Sequence, residues 1–376
     1  MKKMLMIASV ASMIDQFNRD NISLLMKLGY EVHVASNFKI GNTTSDQRLC
    51  EFKNELDHMG VKYHQVDFSR NIFHLVSNYK AYSQIINLLH NNTYHFIHCQ
   101  SPIGGVLGRL AAKREKIKVI YTAHGFHFYK KAPMLHWIIF YPIEKYLAKF
   151  TEVLITINKE DYTIAQKFGS KKVVYLPGIG IDTSKFNNHD NNRNELRRLL
   201  DISEDKIVLL SVGELSKRKN HEVIIKALAK LKNKKIVYII CGQGDHKNHL
   251  EGLARKLNVD LKLPGYQRDI NNIFGISDIF VFPSLQEGLP VALMEAMSAG
   301  LPIICSKIRG NVDLIKEDVG GFLVEAKNVE GYAKAINRMI NQGDLRNNMI
   351  CHNNKIIKNF DYSIVNEKMN KIYKQL

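Results

Sequence analysis

Cysteine, tryptophan and proline are all scarce in this chain. Its 376 residues include five cysteines, one tryptophan and eight prolines. The cysteines are odd in number, lie far apart and form no CxxC pair, which excludes a disulfide framework and a zinc site of the usual ligand spacing. We therefore expect buried, reduced thiols. A hydrophobic fraction of 45% also excludes a disordered or collagen-like chain.

Acidic residues are outnumbered, and long apolar runs are missing. Lysine and arginine number 53 against 36 for aspartate and glutamate, so the formal net charge is +17. Such a surface attracts nucleic acid, anionic lipid or phosphorylated substrates, and charge alone does not choose among them. No run approaches the ~18 apolar residues that a membrane-spanning helix needs, so we expect a protein that is soluble or lies on a membrane. The short apolar start at residues 4–8 predicts a buried strand rather than a signal peptide.

Short apolar runs alternate with amphipathic stretches from end to end, which is the pattern of parallel sheets flanked by helices. The predicted strands of the first half lie at residues 4–9, 31–35, 61–66, 95–99, 119–123, 153–157 and 173–176. Those of the second half lie at residues 207–212, 236–241, 279–282, 303–305 and 322–324. Helical patterns lie between them, for example at residues 79–90, 159–168, 221–231, 246–257 and 291–299.

An irregular, polar connection separates the two series of strands. Residues 177–182 and 187–194 are rich in glycine, asparagine and aspartate, which predicts a domain boundary near residue 180. We therefore predict an α/β protein with two doubly wound, Rossmann-like domains, residues 1–180 and 181–376, that face each other across a ligand cleft. The last helix can pack back on the first domain.

The most informative segment covers residues 282–297, from the end of a predicted strand through a turn into a helix. Pro290 suits the first helical turn, where its missing N–H costs nothing. The N–H groups of Gly288, Leu289 and Val291 would then point out of the helix start, where they form a site for a phosphate or a diphosphate.

Two glutamates flank this turn. Glu287 precedes it and Glu295 lies inside the helix, so both can face one pocket and accept hydrogen bonds from sugar hydroxyls. An isolated pair of this kind is more often a helix-start charge and a solvated side chain. Glu295, however, stands among apolar neighbours, where a carboxylate is costly to bury without a partner.

The two glutamates, separated by seven residues around Gly-Leu-Pro, resemble the donor-binding signature of the family 4 retaining glycosyltransferases of the GT-B fold. The resemblance continues over nearly the whole chain, at residues 121–126, 176–186, 211–220, 263–266, 277–279 and 299–302. It is greatest to the bacterial subgroup that builds capsule, exopolysaccharide or lipid-linked repeat units.

The resemblance implies a role for individual residues. Glu295 would bind the ribose of the nucleotide, Glu287 the donor sugar, and Lys219 the diphosphate as it departs, while His124 would lie beside the transferred sugar. The implied catalytic residues are thus His124, Glu287 and Lys219. The implied donor-binding residues are Gly213, Arg218, Lys219, Tyr266, Glu287, Gly288, Leu289, Pro290 and Glu295.

Two loops depart from the family pattern. Glu214 stands where many relatives carry an arginine, so we expect Glu214 to point elsewhere and Lys217 or Arg218 to supply the charge. Residues 9–17 lack the glycine-rich turn of many relatives. In that loop Asp15 can contact an acceptor hydroxyl, although capping the following helix is the simpler role. Asp15 and His127, which shares a loop with His124 and can simply pack, complete the candidates as acceptor-side residues.

The activity implied by the resemblance is a retaining transfer of a hexose, an N-acetylhexosamine or a related sugar, from a UDP-sugar to a lipid-linked (polyprenyl diphosphate) sugar. The first domain would be the acceptor side and the second would bind the nucleotide sugar. We expect no cofactor and no metal, because a cation and a helix N-terminus can stabilise the leaving diphosphate and the chain has no Asp-x-Asp pair.

The setting implied is peripheral, at the inner face of the plasma membrane of a bacterium. Residues 126–150 interleave lysines with aromatic side chains, which suits an anionic membrane surface. A helix packed on its own domain explains the same pattern equally well.

Other functions fit less well. The main alternative is a nucleotide-sugar epimerase of similar two-domain build. A dinucleotide dehydrogenase is disfavoured because residues 9–17 lack the glycines that hold a pyrophosphate. A nucleic-acid-binding protein is suggested by the charge alone, with no recognised module beside it, so we expect no nucleic-acid partner.

Overall fold

The computed structural model describes residues 2–69, 71–186, 193–267 and 269–376. The chain forms two compact units: Met1–Ile179 together with Ser363–Leu376, and Gly180–Tyr362. Residues 187–192, part of the predicted connection, lie outside the described residues.

The first unit contains a parallel sheet that, in the described residues, has seven strands in the order β3-β2-β1-β4-β5-β6-β7. Its strands are β1 (Lys2–Val10), β2 (Tyr30–Asn37), β3 (Lys62–Gln65), β4 (Tyr94–Gln100), β5 (Lys118–Ala123), β6 (Val153–Thr156) and β7 (Lys172–Tyr175). Its helices are α1 (Ala11–Phe17), α2 (Arg19–Lys27), α3 (Asp46–His58), α4 (Leu75–His90), α5 (Pro102–Glu115), α6 (Met134–Ala148) and α7 (Lys159–Ala165).

The second unit repeats this plan with six strands, again within the described residues, in the order β10-β9-β8-β11-β12-β13. The strands are β8 (Ile207–Val212), β9 (Ile236–Cys241), β10 (Asp260–Gly265), β11 (Ile279–Phe282), β12 (Ile303–Ser306) and β13 (Gly321–Val324). The helices are α8 (Arg193–Leu199), α9 (Glu222–Leu231), α10 (Lys247–Leu257), α11 (Asn271–Ile276), α12 (Val291–Ser298), α13 (Asn311–Leu314), α14 (Val329–Asn341) and α15 (Gly343–Ile356). The final helix, α16 (Tyr362–Tyr373), returns to the first unit.

Side chains alternate between two cores in the first unit, because successive residues of a strand point to opposite faces. Leu5 and Ile7 of β1 belong to one cluster, and Met4 and Met6 to the other. Both faces are covered by helices, so the strands read as continuous apolar runs. These two parallel, helix-covered sheets confirm the predicted α/β class and the two Rossmann-like domains.

Each sheet reverses its strand order beside its first strand, between β1 and β4 and between β8 and β11. Open parallel sheets bind ligands at the carboxyl ends of the strands at such a point. The loops that follow these four strands are therefore expected to form a ligand-binding site.

Two local predictions were wrong, and one strand was not predicted. The expected loop after β1 is largely the helix α1, whose Ala11 and Ile14 are buried. The strand β10 was not predicted, because as an edge strand paired only with β9 it carries polar residues and a proline. Two of the five cysteines, Cys50 and Cys351, are exposed because they lie on the outer sides of α3 and α15, and the other three are buried.

Candidate active site

Two loops are tied together at the strand reversal of the second unit, one after β8 and one after β11. The Leu285 N–H donates to the Arg218 carbonyl (2.8 Å), and Asn220 Nδ2 donates to the Pro283 carbonyl (3.0 Å). Asn220 has a left-handed backbone (φ 57°), which asparagine tolerates better than most residues. Sequence reasoning missed Asn220, although an asparagine directly after a short basic turn is a signal for such a bend.

The tied loops bring Lys219 and Glu287 into contact. Lys219 Nζ donates to Glu287 Oε1 at 2.7 Å, and Arg218 Nη1 donates to the same oxygen at 3.0 Å. The Lys219 and Glu287 side chains are only 12% and 11% exposed, and Nζ lies 4.8 Å from the centre of the Phe282 ring. A Cβ at Gly213 would lie 3.1 Å from Lys219 Cε, so a glycine there gives the lysine room.

The start of α12 lies directly after Glu287. Pro290 is the N-cap of this helix rather than, as predicted, a residue of its first turn, because its ψ of 118° is extended. The first intrahelical bond runs from the Met294 N–H to the Pro290 carbonyl. Among the described residues, the N–H groups of Gly288, Leu289 and Val291 meet no acceptor. Open amides at a helix start attract an anion.

A third basic residue, which sequence reasoning missed, lies on the other side of this turn. Arg309 is buried, and its Nε donates to the Glu287 carbonyl at 3.2 Å. The neighbouring Gly310 has a φ of 82°, and a Cβ there would lie 2.3 Å from the Gly288 carbonyl oxygen. A glycine is therefore required where the two backbones touch.

Glu295 lies just over one turn into α12 and is half-buried. Burial raises the pKa of its carboxyl, and the charge of Lys185 opposes that rise. Within the described residues no hydrogen-bond donor reaches this carboxylate. Ser298 Oγ, on the same helix, donates to the Thr183 carbonyl at 3.1 Å and so fixes α12 against the segment that carries Lys185.

His124 directly follows β5 in the first unit. Its Nε2 lies 2.7 Å from Gln100 Oε1 at the end of β4, and its ring centre lies 6.1 Å from that of Phe17. Burial lowers the pKa of His124 to about 4, so the imidazole is neutral at neutral pH.

A cavity of about 460 Å³ opens at the reversal between β1 and β4. Its lining is mostly apolar and aromatic and consists of Ser9, Val10, Met13, Asn71, Ile72, Phe73, Ser101, Pro102, Ile103, Val106, Tyr121, Gly125, Phe126, His127, Phe128, Phe140, Ile143 and Glu144. Ser101, the N-cap of α5, has a φ of 67° that is rare outside glycine. Its Oγ lies 2.9 Å from Ser9 Oγ, and the Gly104 N–H donates to Ser9 Oγ. This buried network holds the strained backbone in place.

Two family models match the chain, "Glycosyl transferases group 1" over residues 192–355 and "Glycosyl transferase 4-like" over residues 7–158. The putative glycosyltransferase EpsD of Bacillus subtilis (strain 168) is 32% identical over 383 residues, which cover 99% of this chain and 96% of EpsD. The chain belongs to the family 4 glycosyltransferases. The UDP-Gal:alpha-D-GlcNAc-diphosphoundecaprenol alpha-1,3-galactosyltransferase of Escherichia coli is also 32% identical to this glycosyltransferase, over 80% of each chain.

Solved structures show the fold of this glycosyltransferase. The crystal structure of Anabaena HepE with UDP and glucose superimposes with a TM-score of 0.80 at 18% identity and covers 100% of both chains. The predicted GT-B fold is confirmed. These comparisons give the alternative of an epimerase no support.

Tyr266, another predicted donor-binding residue of the glycosyltransferase, has no recorded contact with the Lys219–Glu287 pair. Tyr266 follows β10 and is 71% exposed. The Glu214 side chain is 59% exposed and approaches Arg218 only to 3.9 Å, as expected if it points away from the anion site. Lys217 is exposed on the same turn.

Asp15 does not cap a helix. It lies inside α1 and is buried, and both of its oxygens accept hydrogen bonds from Arg48, at 2.7 and 2.9 Å. Arg48 thereby ties α3 to α1, and the predicted capping role is wrong. His127 lines the cavity and stacks on Phe140 with ring centres 4.6 Å apart. Contact of Asp15 or His127 with an acceptor stays a prediction.

Two further features of the described residues concern metal ions and membranes. No group of three or more histidine, cysteine, aspartate or glutamate side chains in that part of the chain is placed to hold a metal ion. No helix within it has the length and apolar character needed to cross a bilayer.

Proposed function

We propose that this glycosyltransferase is a retaining, metal-independent enzyme that moves an N-acetylhexosamine or a related sugar from a UDP-sugar to a lipid-linked sugar acceptor. The reaction would build capsule or exopolysaccharide repeat units at the inner face of the plasma membrane. The observation that carries this proposal is the Lys219–Glu287 pair beside the open N–H groups at the start of α12.

The second unit holds the groups that a nucleotide sugar requires. The open amides suit the phosphate oxygens, and Lys219 and Arg218 add positive charge. Once a diphosphate engages these two cations, the Glu287 carboxylate is released from them and can accept hydrogen bonds from sugar hydroxyls. Glu295, half-buried and without a donor among the described residues, suits the paired hydroxyls of a ribose.

The transfer requires stabilisation of charge rather than a covalent residue. The acceptor hydroxyl oxygen bonds to the anomeric carbon on the face from which the nucleotide leaves, so the configuration is retained. The bond from that carbon to the diphosphate oxygen breaks with its electron pair on the diphosphate, and the hydroxyl proton passes to that oxygen. Lys219 and the amides of α12 oppose the charge that develops there, which a metal ion would otherwise have to do.

The names of relatives support the choice of substrates. The Escherichia coli relative is named for UDP-Gal and a diphosphoundecaprenol-linked sugar. HepE was crystallised with UDP.

The surface of the first unit suits a lipid-linked acceptor. The apolar cavity reaches the surface at Phe73, which is 65% exposed. Other large apolar side chains are exposed at the start of α4 and on α6, namely Leu75, Val76, Tyr79, Met134, Leu135 and Ile138. Lys130, Lys131 and Lys145 are exposed in the same part of the sequence. Apolar side chains beside lysines favour an anionic membrane surface.

The donor assignment is tested by substitution of Glu295. We expect mass spectrometry against a panel of nucleotide sugars to identify one UDP-sugar as donor, and calorimetry to show that Glu295→Ala weakens its binding at least tenfold, about the loss of one or two hydrogen bonds to a charged group. The matched control is Glu330→Ala, since Glu330 lies on α14 of the same unit and pairs with Lys230 at the surface.

Equal donor affinity in Glu295→Ala and the wild type would refute the role of Glu295. Product NMR tests retention of the anomeric configuration, and turnover in the presence of a chelator tests independence from metal. An inverted product, or activity lost to the chelator and restored by a divalent ion, would refute the corresponding part of the proposal.

A further inference from the structure

Three polar side chains, Gln100, His98 and Tyr373, form a buried chain of hydrogen bonds behind His124. His124 Nε2 lies 2.7 Å from Gln100 Oε1, Gln100 Nε2 lies 2.9 Å from His98 Nε2, and His98 Nδ1 lies 2.9 Å from the hydroxyl oxygen of Tyr373. His98, Gln100 and Tyr373 are each at most 1% exposed. Tyr373 comes from α16, which is 275 residues from His98 in the chain.

With the Gln100 amide in the orientation that the structure shows, the donors and acceptors of this chain determine where each proton lies. An amide nitrogen only donates and an amide oxygen only accepts. Gln100 Nε2 therefore donates to His98 Nε2, which must carry a lone pair. The Thr122 hydroxyl lies 2.8 Å from the same nitrogen and can donate to that lone pair as well. The proton of neutral His98 is then on Nδ1 and is donated to the Tyr373 oxygen. At the other end, Gln100 Oε1 accepts, so His124 carries its proton on Nε2.

This arrangement leaves Nδ1 of His124 with a lone pair. No hydrogen-bond donor among the described residues reaches that atom. Burial keeps both imidazoles neutral, since it lowers the pKa of His124 to about 4 and that of His98 to about 3. A neutral imidazole with an open lone pair accepts a hydrogen bond from a hydroxyl group, and it cannot donate one from the same atom.

We propose that Gln100, His98 and Tyr373 are positioning residues that hold His124 in its Nε2–H tautomer, so that Nδ1 accepts a hydrogen bond from a substrate hydroxyl. The proposal rests on the proposed sugar transfer, because the hydroxyl belongs to a sugar substrate. Since a residue of α16 decides the tautomer at the end of β5, the C-terminal helix would contribute to the site without touching a substrate.

The reverse arrangement shows why the tyrosine matters. If Tyr373 donated to His98 Nδ1, His98 would carry its proton on Nε2, the Gln100 amide would have to turn over, and His124 would carry its proton on Nδ1. The direction of each hydrogen bond in the chain thus determines the direction of the next. Loss of the tyrosine hydroxyl removes the acceptor of the His98 Nδ1 proton, and that buried N–H then favours the reverse arrangement.

The test is ¹⁵N NMR of the histidine side chains in the full-length protein, which distinguishes a protonated from an unprotonated ring nitrogen. We expect His124 to be protonated on Nε2 in the wild type and to show both tautomers in Tyr373→Phe. Gln100→Leu interrupts the chain at another bond and should have the same effect. The matched control is Tyr94→Phe, because the Tyr94 hydroxyl lies 2.7 Å from His33 Nδ1 in the same unit, with no bond to Gln100 or His124.

Transfer kinetics give the second measurement. We expect Tyr373→Phe to lower kcat/KM for sugar transfer by about tenfold, the usual effect of losing a residue that orients another, and Tyr94→Phe to leave it unchanged. An unaltered Nε2–H tautomer in both Tyr373→Phe and Gln100→Leu would overturn the proposal. A changed tautomer with unchanged transfer would overturn it as well. By contrast, a wild-type protein that transfers no sugar would refute the proposed function, whatever the NMR spectrum shows.

Discussion

At the scale of single residues, Glu287 and Lys219 form an ion pair. The carboxylate engages the Lys219 ammonium at 2.7 Å and the Arg218 guanidinium at 3.0 Å. In the proposed reaction, a diphosphate would therefore have to displace Glu287 from both cations before they could bind it. This competition would reduce the affinity for the bound donor. The interaction of the two cations with the leaving diphosphate, whose charge is larger, would be kept.

Lys219→Ala should consequently affect turnover more than donor binding. We expect kcat to fall by about 10²- to 10³-fold, as on loss of one group that stabilises developing charge, and donor affinity to change much less. The measurements are steady-state kinetics and calorimetry. Lys217→Ala is the matched control, since Lys217 lies on the same turn and is exposed. A large loss of donor affinity with kcat intact would contradict a leaving-group role.

At the scale of elements, α16 belongs to the first unit although it ends the chain. Val365, Met369, Ile372 and Tyr373 are buried in one of the cores of that unit. Lys118 Nζ, on β5, also donates to the Leu376 carbonyl at 2.8 Å. The helix therefore stabilises the sheet that carries His124.

Met369→Ala tests the packing of α16. We expect the free energy of unfolding to fall by about 2–5 kcal/mol, because the substitution leaves a cavity beside a fully buried side chain. Urea denaturation measures the change. Met134→Ala, at a side chain that is 73% exposed on α6, should change stability by less than about 0.5 kcal/mol. Equal stability of the two variants would show that α16 does not support the core.

A second prediction at this scale concerns the exposed face of α6. Replacing Leu135 and Ile138 together by serine should weaken binding to vesicles that contain phosphatidylglycerol by about thirtyfold, since each loses on the order of 1 kcal/mol of apolar burial in the lipid. Co-sedimentation measures binding. Ile40→Ser, at another exposed isoleucine of the same unit, is the control. If the control and the double variant bind equally, α6 is not the membrane-facing element.

At the scale of the whole molecule, both units contain buried histidines that stay neutral. Burial lowers the pKa of His98 and of His221 to about 3 and that of His124 to about 4. His221, in the second unit, lies with its Nδ1 3.2 Å from the Tyr238 hydroxyl. Because the unfolded chain takes up protons at these histidines near pH 6.5 and the folded chain does not, unfolding is favoured as the pH falls through that value.

The free energy of unfolding should therefore be lower at pH 5 than at pH 7. Carboxylates whose pKa is lowered by hydrogen bonds, such as Glu31 and Asp67, lose their stabilising effect only at lower pH. Urea denaturation at several pH values measures the slope, which should become smaller in His221→Gln and stay unchanged in His58→Gln, at an exposed histidine. A slope of zero in the wild type between pH 5 and 7 would contradict the prediction.

The sequence alone determined the class of fold and the residues proposed to bind the donor. Apolar periodicity is a property of neighbouring residues, so strands and helices could be predicted from short windows. Residues 282–297 likewise contain both glutamates, the turn and the start of the helix in one short continuous segment. Polar edge strands such as β10 could not be predicted in this way, because an edge strand need not be apolar.

Only the tertiary structure decided which distant residues are partners. Nothing near Asp15 in the sequence indicates that Arg48 engages both of its oxygens, and nothing near His98 indicates Tyr373. Such contacts arise because the order of strands in each sheet brings remote parts of the chain together. A buried polar group must then find a partner wherever the topology has placed one, since leaving it unpaired costs more than the hydrogen bond itself contributes.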